Sequence, residues 1–335
     1  MIKLSIIIVN YKTPQLVLDC IRSIKQWEDR VGYEIIVIDN SPDNSGAPIV
    51  CVPFPDVIWH FMGDNAGFAR ANNKGIELSK GEVVLLLNSD TINVDDAIQN
   101  CYERFVASAH IACGVHLLNE DGSSQISGNY FMTGSLNNLL PLPVIGTVLK
   151  TAGVLLAVKK PHEPSPESEV KVDWINGAFL MVKKVAIEKV GRLDPDFFLY
   201  AEEAEWCYRL SKIGTLCVFG EYKVIHLQGE SANKTFGSES KGYYDLYSKK
   251  GLQIMLSNLV RIRKQFGVGW LLFHFATLLF EIPLFLVLAV FRSIINVKNF
   301  NIEISRPFLF MANVARLASY LPTLVSGKPF FYKVL

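Results

Sequence analysis

Three short apolar segments, each ending in polar side chains, constrain the fold of this chain more than any other feature of its sequence. Residues 4–9, 34–38 and 83–87 are rich in Ile, Val and Leu, and segments with helical periodicity lie between them. Short apolar strands that alternate with helices predict an α/β protein with a mostly parallel central sheet, because helices then cover both faces. Ligands of such sheets bind beyond the carboxyl ends of the strands.

The polar side chains that follow these segments predict where a ligand binds. They are Asn10-Tyr11, Asp39-Asn40 and Asn88-Ser89-Asp90. In the third cluster a carboxylate lies two positions after an amide, and such oxygen ligands suit a hard divalent cation that also contacts phosphates. The alternative is a turn or a helix N-cap, since Asn, Ser and Asp are favoured in both.

Three carboxylates, Glu202, Glu203 and Glu205, begin a segment that predicts a helix. A carboxylate beside other carboxylates can have a raised pKa, which suits a general base, and Glu202 or Glu203 could face a cleft. Glu205 lies four positions before Arg209, so these two side chains can form an ion pair on one helix face. The alternative for the whole cluster is a solvated acidic helix start, which the helix dipole favours.

A histidine and a glycine turn are further candidates. His226 follows an apolar segment, and a neutral imidazole is a good ligand for Mn²⁺ and similar ions, although a lone histidine is more often structural. Gly67 permits a tight turn before a helix whose N-terminal amides favour anions, and Arg70, one turn later, could reach a phosphate. Glycine turns before helices are also common without any ligand.

The balance of charge excludes two classes of protein. The chain has 33 Lys and Arg against 32 Asp and Glu among 335 residues, so its formal charge is +1. A nucleic-acid-binding protein that relies on bulk positive charge is excluded, as is a highly charged disordered chain. The six cysteines have no zinc-site spacing, which predicts reduced thiols in a cytosolic compartment.

The C-terminal part of the chain is basic and apolar. From Arg261 onward there are nine Lys and Arg against two acids, a formal charge of +7. Residues 266–291 are apolar, but Glu281 and Pro283 divide them into two shorter pieces, which more often lie in the membrane interface or re-enter than span. Basic residues at both ends favour an anchor on the cytoplasmic side. The alternative is a helical subdomain that buries these faces in itself or in a homo-oligomer.

Seven segments, in sequence order, carry a family resemblance. They are SIIIVNYKT, EIIVIDNSPDNSG, NAGFARANNKG, LLLNSDT, WINGAFLMVKK, GRLDPDFFLYAEEAEWCYRL and VIHLQGES, and they extend over roughly residues 3–231. The chain resembles the family 2 glycosyltransferases, and most closely their rhamnosyltransferase-like branch. The resemblance implies a GT-A fold and transfer of a sugar from a nucleotide diphosphate donor, with inversion at the anomeric carbon. The family's processive synthases carry a Gln-x-x-Arg-Trp motif, and its absence from this sequence favours the addition of single sugars.

The same resemblance implies a role for each candidate residue. Donor-binding roles fall on Asn10, Tyr11, Asp39, Asn65, Gly67, Arg70 and Asn88. The residues that would border the sugar or the acceptor are Trp174, Asn176 and Gly177. The ligands of Mg²⁺ or Mn²⁺ on the diphosphate would be Asp90 and His226. The catalytic carboxylates would be Glu203, as the base, and Glu202 beside it.

The sequence departs from the family's pattern at two places. Asn88 stands where the metal motif often has an aspartate, which leaves a less anionic site. Glu203 stands where the base is usually aspartate, and Glu205 also replaces an aspartate. The extra methylene moves a carboxylate by about an ångström, which matters for a positioned base.

These inferences predict three segments and one function. Residues 1–231 would form the GT-A catalytic domain, residues 232–265 a connecting helical segment, and residues 266–335 a membrane-associated helical region. The protein would transfer a sugar, with rhamnose from dTDP-rhamnose as first choice, to a lipid-linked saccharide. It would act at the cytoplasmic face of the inner membrane, in the synthesis of O-antigen or a similar cell-surface polysaccharide. The alternative is a non-catalytic nucleotide-sugar-binding or scaffold protein on the same fold.

Overall fold

The computed structural model describes residues 2–129, 135–156, 168–227, 245–295 and 300–334. The chain divides into two compact units. The first unit consists of Met1–Met132, Pro161–Phe198 and Glu202–Gly237, and the second of Thr133–Lys160, Leu199–Ala201 and Ser238–Leu335. Each unit therefore combines segments that are distant in sequence. The predicted division at residues 231 and 265 stays a prediction, and the end of the seventh family segment, residues 228–231, lies outside the described residues.

The strands belong to the first unit. In chain order they are β1 (Leu4–Asn10), β2 (Tyr33–Asp39), β3 (Ile58–Phe61), β4 (Val83–Asn88), β5 (Thr91–Asn93), β6 (Ala112–Leu118), β7 (Gly128–Asn129), β8 (Glu169–Val172), β9 (Trp174–Ile175), β10 (Phe179–Lys183) and β11 (Leu216–His226). A nine-stranded sheet has the order β3-β2-β1-β4-β10-β6-β11-β5, and β8 also pairs with β11. A separate two-stranded sheet joins β7 to β9.

Helices belong to both units. In chain order they are α1 (Pro14–Lys25), α2 (Ala47–Cys51), α3 (Gly67–Leu78), α4 (Ala97–Val106), α5 (Ile145–Leu155), α6 (Lys184–Val190), α7 (Glu202–Ser211), α8 (Lys249–Phe266), α9 (Val268–Ile295) and α10 (Phe300–Ser326). A 3₁₀ turn covers Ser135–Leu139. Helices α5, α8, α9 and α10 form the second unit.

The parallel half of the large sheet confirms the predicted α/β fold. β1 pairs in parallel with both β2 and β4, and β2 pairs in parallel with β3. Apart from the half-buried Val9 and Tyr33, the apolar side chains of β1, β2 and β4 are buried on both faces, as the unbroken apolar runs require. β10 then runs antiparallel between β4 and β6, so the sheet is mixed. An apolar run predicts a buried strand but carries no information about its direction.

A glycine lets α3 approach the sheet closely. A Cβ added at Gly75 would lie 2.3 Å from Cγ2 of Ile7, whose side chain is fully buried in β1. No side chain fits between helix and strand at this point. Because α3 begins at Gly67, beside the carboxyl ends of the strands, this contact helps to position the start of the helix.

In the second unit, α9 continues through Pro283, so the predicted division of residues 266–291 into two pieces is wrong. Proline inside a helix costs about 3 kcal/mol, because it removes a hydrogen bond and crowds the preceding turn. Tertiary packing can offset that cost, and Phe285, two residues later, is 1% exposed.

The charge at Glu281 does not end the helix either. Glu281 is fully buried, and its two carboxylate oxygens accept hydrogen bonds from the backbone nitrogens of Val144 and Ile145, at 2.5 and 3.1 Å. α5 begins at Ile145, so the carboxylate lies at the positive end of that helix dipole. A buried acid is thus satisfied by the backbone of another segment.

Two helices of the described chain are long and apolar enough to cross a membrane, judged by length and composition alone. They are Val268–Ile295 and Glu303–Ser326. Both lie in the predicted C-terminal helical region, residues 266–335. Membrane association itself stays a proposal, because a core helix of a soluble protein passes the same test.

We expect Gly75→Ala to lower the free energy of unfolding by about 1–3 kcal/mol, as an extra methyl group in a packed interface does. This loss should exceed the gain of about 0.5–1 kcal/mol that replacing a helical glycine normally brings. The matched control is Gly269→Ala, because nothing lies within 4 Å of a Cβ at that helical glycine. Urea unfolding of both variants checks this, and a stabilised Gly75→Ala would contradict the close approach.

Candidate active site

The polar ends of β1, β2 and β4 lie side by side. Asn10 of β1 is in register with Asp39 of β2, and Val9 is in register with Asn88 of β4. The three polar clusters are therefore neighbours at one edge of the sheet, where α/β proteins bind ligands. Tyr11 follows Asn10 at the same edge, with its ring 5.3 Å from Nζ of Lys12.

The two carboxylate oxygens of Asp39 differ in their hydrogen bonds. Nδ2 of Asn10 and the backbone nitrogen of Ser41 donate to its Oδ1, at 2.7 and 3.0 Å. Its Oδ2 is buried and has no hydrogen-bond partner among the described residues. A buried acceptor without a partner costs about 1–3 kcal/mol, so a ligand that donates to Oδ2 would recover that energy.

The turn after β4 brings Asp90 to His226. β5 begins one residue after Asp90 and pairs antiparallel with the end of β11, which places Thr91 opposite His226. Leu227 donates its backbone N–H to the carbonyl of Asp90 at 2.9 Å. As a result, Nε2 of His226 lies 3.4 Å from Oδ1 of Asp90 and 3.2 Å from Nδ2 of Asn88.

Gln125 sets the orientation of the His226 ring. Its Oε1 lies 3.0 Å from Nδ1 of His226, and its Nε2 donates to the carbonyl of His226 at 2.6 Å. We assign the Nδ1–H tautomer, because an amide oxygen can only accept. The lone pair of Nε2 then faces Asp90 and accepts from Asn88. Sequence reasoning missed Gln125, and no local signal indicates it, because it lies 101 residues from its partner.

The pair formed by Asp90 and His226 fits a divalent cation only in part. Two ligands at about 2.1 Å from one ion and at right angles to each other are about 3 Å apart, close to the observed separation. In the described ranges no group of three or more His, Cys, Asp or Glu side chains is arranged to hold a metal. A bound ion would therefore take its other ligands from phosphate and water, as Mg²⁺ usually does.

Gly67 makes a close contact within the protein. Its φ is +80°, and an added Cβ would lie 2.3 Å from the carbonyl oxygen of Phe198. The amide of Phe68 donates to the same oxygen at 2.8 Å, and Oδ1 of Asn65 accepts from the amide of Gly67 at 3.1 Å. The amide of Phe68 thus donates to the chain's own backbone and that of Gly67 to a neighbouring side chain, and the predicted anion-binding turn stays a prediction.

Two side chains of α3 bind the loop that precedes α7. Nε of Arg70 donates to the carbonyl of Pro195 at 2.9 Å. Nδ2 of Asn73 donates to the carbonyl of Leu193 at 2.7 Å, and Oδ1 of Asn73 accepts from the backbone nitrogen of Leu193 at 3.0 Å. Arg70 thus supports the loop, and its predicted contact with phosphate stays a prediction.

The segment before β10 contains Trp174, Asn176 and Gly177. It lies at the same sheet edge, because Asn88 donates its backbone N–H to the carbonyl of Ala178, the next residue, at 3.0 Å. Both polar groups of Asn176 are used in this turn, Nδ2 toward the carbonyl of Ile126 and Oδ1 toward the amide of Ala178. The indole nitrogen of Trp174 is buried, and no group in the described part of the chain accepts a hydrogen bond from it. An unsatisfied donor at this position is available to a ligand.

Gly177 contacts the acidic start of α7. A Cβ added at Gly177 would lie 3.4 Å from Cγ of Glu203, so the glycine leaves room for that side chain. The two residues before α7, Tyr200 and Ala201, both have positive φ angles, of 72° and 66°. This conformation costs roughly 1–2 kcal/mol for each non-glycine residue, and such strain is typical of functional sites.

The three carboxylates of α7 differ in environment. Glu205 forms an ion pair with Arg209, whose Nη2 lies 2.7 Å from Oε2, as the spacing predicts. Glu202 is 2% exposed, and within the described ranges its Oε2 has no hydrogen-bond partner. Burial, and then the charge of Glu203, raises the pKa of Glu202 well above its ordinary value. Glu203 is half-buried against Gly177, which makes it the better placed of the two to meet a substrate.

Comparisons with known proteins identify a family model and relatives to which this chain is similar. Residues 5–154 match the sequence model of glycosyl transferase family 2. A low-salt glycan biosynthesis hexosyltransferase of Haloferax volcanii is 32% identical over 214 residues, which cover 62% of this chain and 61% of the relative. A rhamnosyltransferase of Escherichia coli is 25% identical over 218 residues, which cover 62% of this chain and 77% of the relative. The chain thus spans about three fifths of the Haloferax relative.

A solved structure shares the fold. The crystal structure of GalNAc-T7 with UDP, GalNAc and Mn²⁺ matches 68% of this chain and 43% of that chain, with a TM-score of 0.50 and 14% identity. At this identity the likeness shows the fold alone, and it supports the predicted GT-A architecture.

We expect Gly67→Ala to destabilise the protein by at least about 2 kcal/mol, from the left-handed backbone conformation together with the clash at Phe198. Gly63→Ala is the matched control, because Gly63 has a φ of +82° but nothing within 4 Å of an added Cβ. Thermal or urea unfolding measures both variants. Equal losses would mean that the contact with Phe198 contributes nothing.

Proposed function

We propose that the chain is a member of glycosyl transferase family 2, whose model its residues 5–154 match, and that it transfers a sugar from a nucleotide diphosphate donor to an acceptor hydroxyl, with inversion. Its similarity to a hexosyltransferase and a rhamnosyltransferase supports this proposal. One observation carries the proposal: three acidic side chains lie along one edge of the sheet. Asp39 ends β2, Asp90 follows β4, and Glu203 lies against Gly177 beside the end of β4. This reaction requires a group that binds the donor's base, a group that helps to stabilise the diphosphate, and an acceptor for the hydroxyl proton.

The donor's base would bind at Asp39. The unpartnered Oδ2 supports this assignment, since a thymine or uracil ring offers an N–H donor to such an acceptor. Asn10 would hold the carboxylate in place through its 2.7 Å hydrogen bond. The thymine nucleotide dTDP-rhamnose is the first candidate donor, and the similarity to a rhamnosyltransferase favours the sugar.

The diphosphate would bind near Asp90 and His226, which would hold Mg²⁺ or Mn²⁺. Such a cation supplies positive charge that stabilises the departing diphosphate. Gln125 holds His226 in the Nδ1–H tautomer, which leaves the lone pair of Nε2 directed toward Asp90. A histidine that binds a metal through Nε2 needs this tautomer. Asn88 adds an amide where an aspartate would add charge, so the site should bind the cation weakly until the diphosphate is present.

Glu203 would accept the proton of the acceptor hydroxyl. The hydroxyl oxygen forms a bond to the anomeric carbon from the face opposite the diphosphate, while the bond from that carbon to the phosphate oxygen breaks. The transition state has oxocarbenium character, as in inverting hydrolysis. Glu202, buried and with a raised pKa, would stay neutral and pack behind Glu203.

The acceptor would be a lipid-linked saccharide at the cytoplasmic face of the inner membrane, in the synthesis of a cell-surface polysaccharide. The basic, apolar C-terminal region supports this location, as anionic lipids attract it and apolar side chains can insert. The relative of Haloferax volcanii is named for glycan biosynthesis, which agrees with a glycan acceptor.

We expect Asp90→Asn to abolish the binding of Mn²⁺ in the presence of a nucleoside diphosphate. The wild-type protein should melt several degrees higher with both ligands than with the nucleotide alone, because ligands that bind the native state stabilise it. Asp95→Asn, an exposed neighbour in the same turn region, is the control and should keep the shift. Thermal shift and Mn²⁺ electron paramagnetic resonance are the measurements, and a retained manganese signal in Asp90→Asn would remove the metal role.

Replacing the proposed base should slow transfer without weakening the binding of the donor. Glu203→Gln should reduce turnover by about 10²–10⁴-fold, the usual contribution of a general base. Glu202→Gln should lose at most a few-fold, since an amide resembles the protonated carboxyl. Transfer from labelled donors and calorimetric binding of dTDP separate the two effects. Near-normal turnover in Glu203→Gln would remove this residue from the role.

The same assay tests the alternative of a non-catalytic binding or scaffold protein. A wild-type protein that binds nucleotide sugars but transfers none to lipid-linked saccharides, across a panel of donors, would favour that alternative. Measurable transfer would exclude it.

A further inference from the structure

We infer that α9 and α10 form a hairpin that lies in the plane of the membrane and inserts one face into a single leaflet. This inference rests on the proposed membrane location but not on the transfer reaction. It concerns the second unit alone. Both helices are long enough to span a membrane, so the inference selects the in-plane arrangement over a spanning one.

The two helices run antiparallel. Arg263, just before α9, donates from Nε and Nη2 to the carbonyls of Leu324 and Val325 at the end of α10, at 3.2 and 3.3 Å. Near the middle of both helices, the rings of Phe285 and Phe310 are 6.1 Å apart. The start of α9 is thus beside the end of α10.

Protein segments cover one face of the hairpin at its midpoint. Asn313 is the fourteenth of 27 residues in α10, and its Nδ2 donates to the carbonyls of Leu246 and Ser248, at 2.9 and 3.0 Å. The ring of Tyr247, from the same segment, stacks on Phe285 at 5.6 Å.

A second segment reaches the midpoint through Glu281, the fourteenth of 28 residues in α9. Its carboxylate binds the backbone of Val144 and Ile145, at the start of α5. Two irregular segments therefore meet the hairpin halfway along its length.

These contacts argue against a spanning hairpin. A bilayer that surrounded the hairpin would bring its midpoint, and the segments attached there, to the membrane centre. Lys249, exposed and next to Ser248, would then lie at that depth, where a charged side chain is costly. Irregular backbone is also unfavourable in lipid unless protein covers it.

The opposite face of α9 is apolar and exposed along its length. At 100° per residue, the buried side chains of Leu271, Leu278 and Phe285 share one face of the helix. The exposed side chains of the other face include Phe273, Phe280, Val287, Phe291 and Ile294, which are 47–71% exposed. An exposed helix face in water normally carries polar residues, so this face requires an apolar partner.

The distribution of charge favours an anionic lipid leaflet as that partner. Of the two acids after Arg261, Glu281 is fully buried, and Glu303 has a side chain 13% exposed and paired with Arg306 at 2.9 Å. The exposed charge of this region is therefore basic, including Arg292 and Arg316. Basic side chains around an apolar face are the pattern of a helix that lies in the membrane interface.

Vesicle flotation of the full-length protein tests the partner. The protein should float with vesicles of phosphatidylethanolamine and phosphatidylglycerol at low salt, and less with phosphatidylcholine. The double variant Phe280→Glu, Phe291→Glu should bind roughly tenfold more weakly or worse, since each change removes a large apolar contact. The matched control is Val185→Glu on α6, because Val185 is 60% exposed in the first unit. Unchanged melting temperatures in all variants show that folding is retained.

Side-specific labelling tests the arrangement. In a Cys51→Ser background, Ser305→Cys and Lys328→Cys place exposed thiols near opposite ends of α10. An impermeant maleimide added to inverted membrane vesicles should label both positions without detergent. Protection of either position until detergent is added would overturn the in-plane arrangement.

One further outcome and one control measurement complete the test. A protein that ignores vesicles and forms a stable dimer in solution, lost in Phe280→Glu, Phe291→Glu, would overturn the lipid assignment. Sugar transfer measured in detergent reports on the proposed reaction independently, so a failure of flotation and a failure of catalysis are distinguishable.

Discussion

The antiparallel pairing of β5 with the end of β11 is the interaction on which the candidate site depends. β5 has three residues and follows Asp90 directly, so its ladder to β11 fixes the backbone on both sides of that carboxylate. The hydrogen bond from Leu227 to the carbonyl of Asp90 completes this link. His226 and Asp90 thus meet through main-chain geometry, and Gln125 adds the orientation of the ring. The proposed cation site would have two protein ligands and would need this rigidity, because the rest of its coordination would come from phosphate and water.

The acidic helix α7 is positioned by a different set of contacts. Gly67 admits the carbonyl of Phe198, and Arg70 and Asn73 of α3 bind the carbonyls of the loop before α7. Gly67 and Arg70, which the family resemblance assigns to the donor, therefore also support α7, the helix that carries the proposed base. Gly177 then leaves room for Glu203. Arg70 can support the loop before α7 and also act on a bound donor. Its backbone contact at Nε does not prevent a long-range electrostatic effect on a phosphate.

The second unit follows a simpler principle. Its helices bury one face in each other and leave α9 with a second apolar face, while both acids of the segment are buried or paired. Pro283 and Glu281 interrupt the apolar sequence but not the helix, since the buried face holds the helix together and the backbone of Val144 satisfies the carboxylate. A membrane-bound acceptor and an enzyme held at the same surface would also meet more often than two molecules free in solution.

The sequence by itself determined the local elements and the chemistry that they could carry. Apolar runs predicted the strands, their polar ends predicted the binding edge, and the spacing of Glu205 and Arg209 predicted an ion pair that the structure contains. The meeting of His226 with Asp90 was implied by the family resemblance, not by any local pattern, and the structure brings these two side chains together. Tertiary structure alone decided that Gln125 meets His226 and that Gly177 meets Glu203. It also decided that α9 continues through Pro283. The physical reason is that hydrophobic periodicity records which face of an element is buried, whereas strand order, strand direction and side-chain partners depend on packing between segments far apart in the chain.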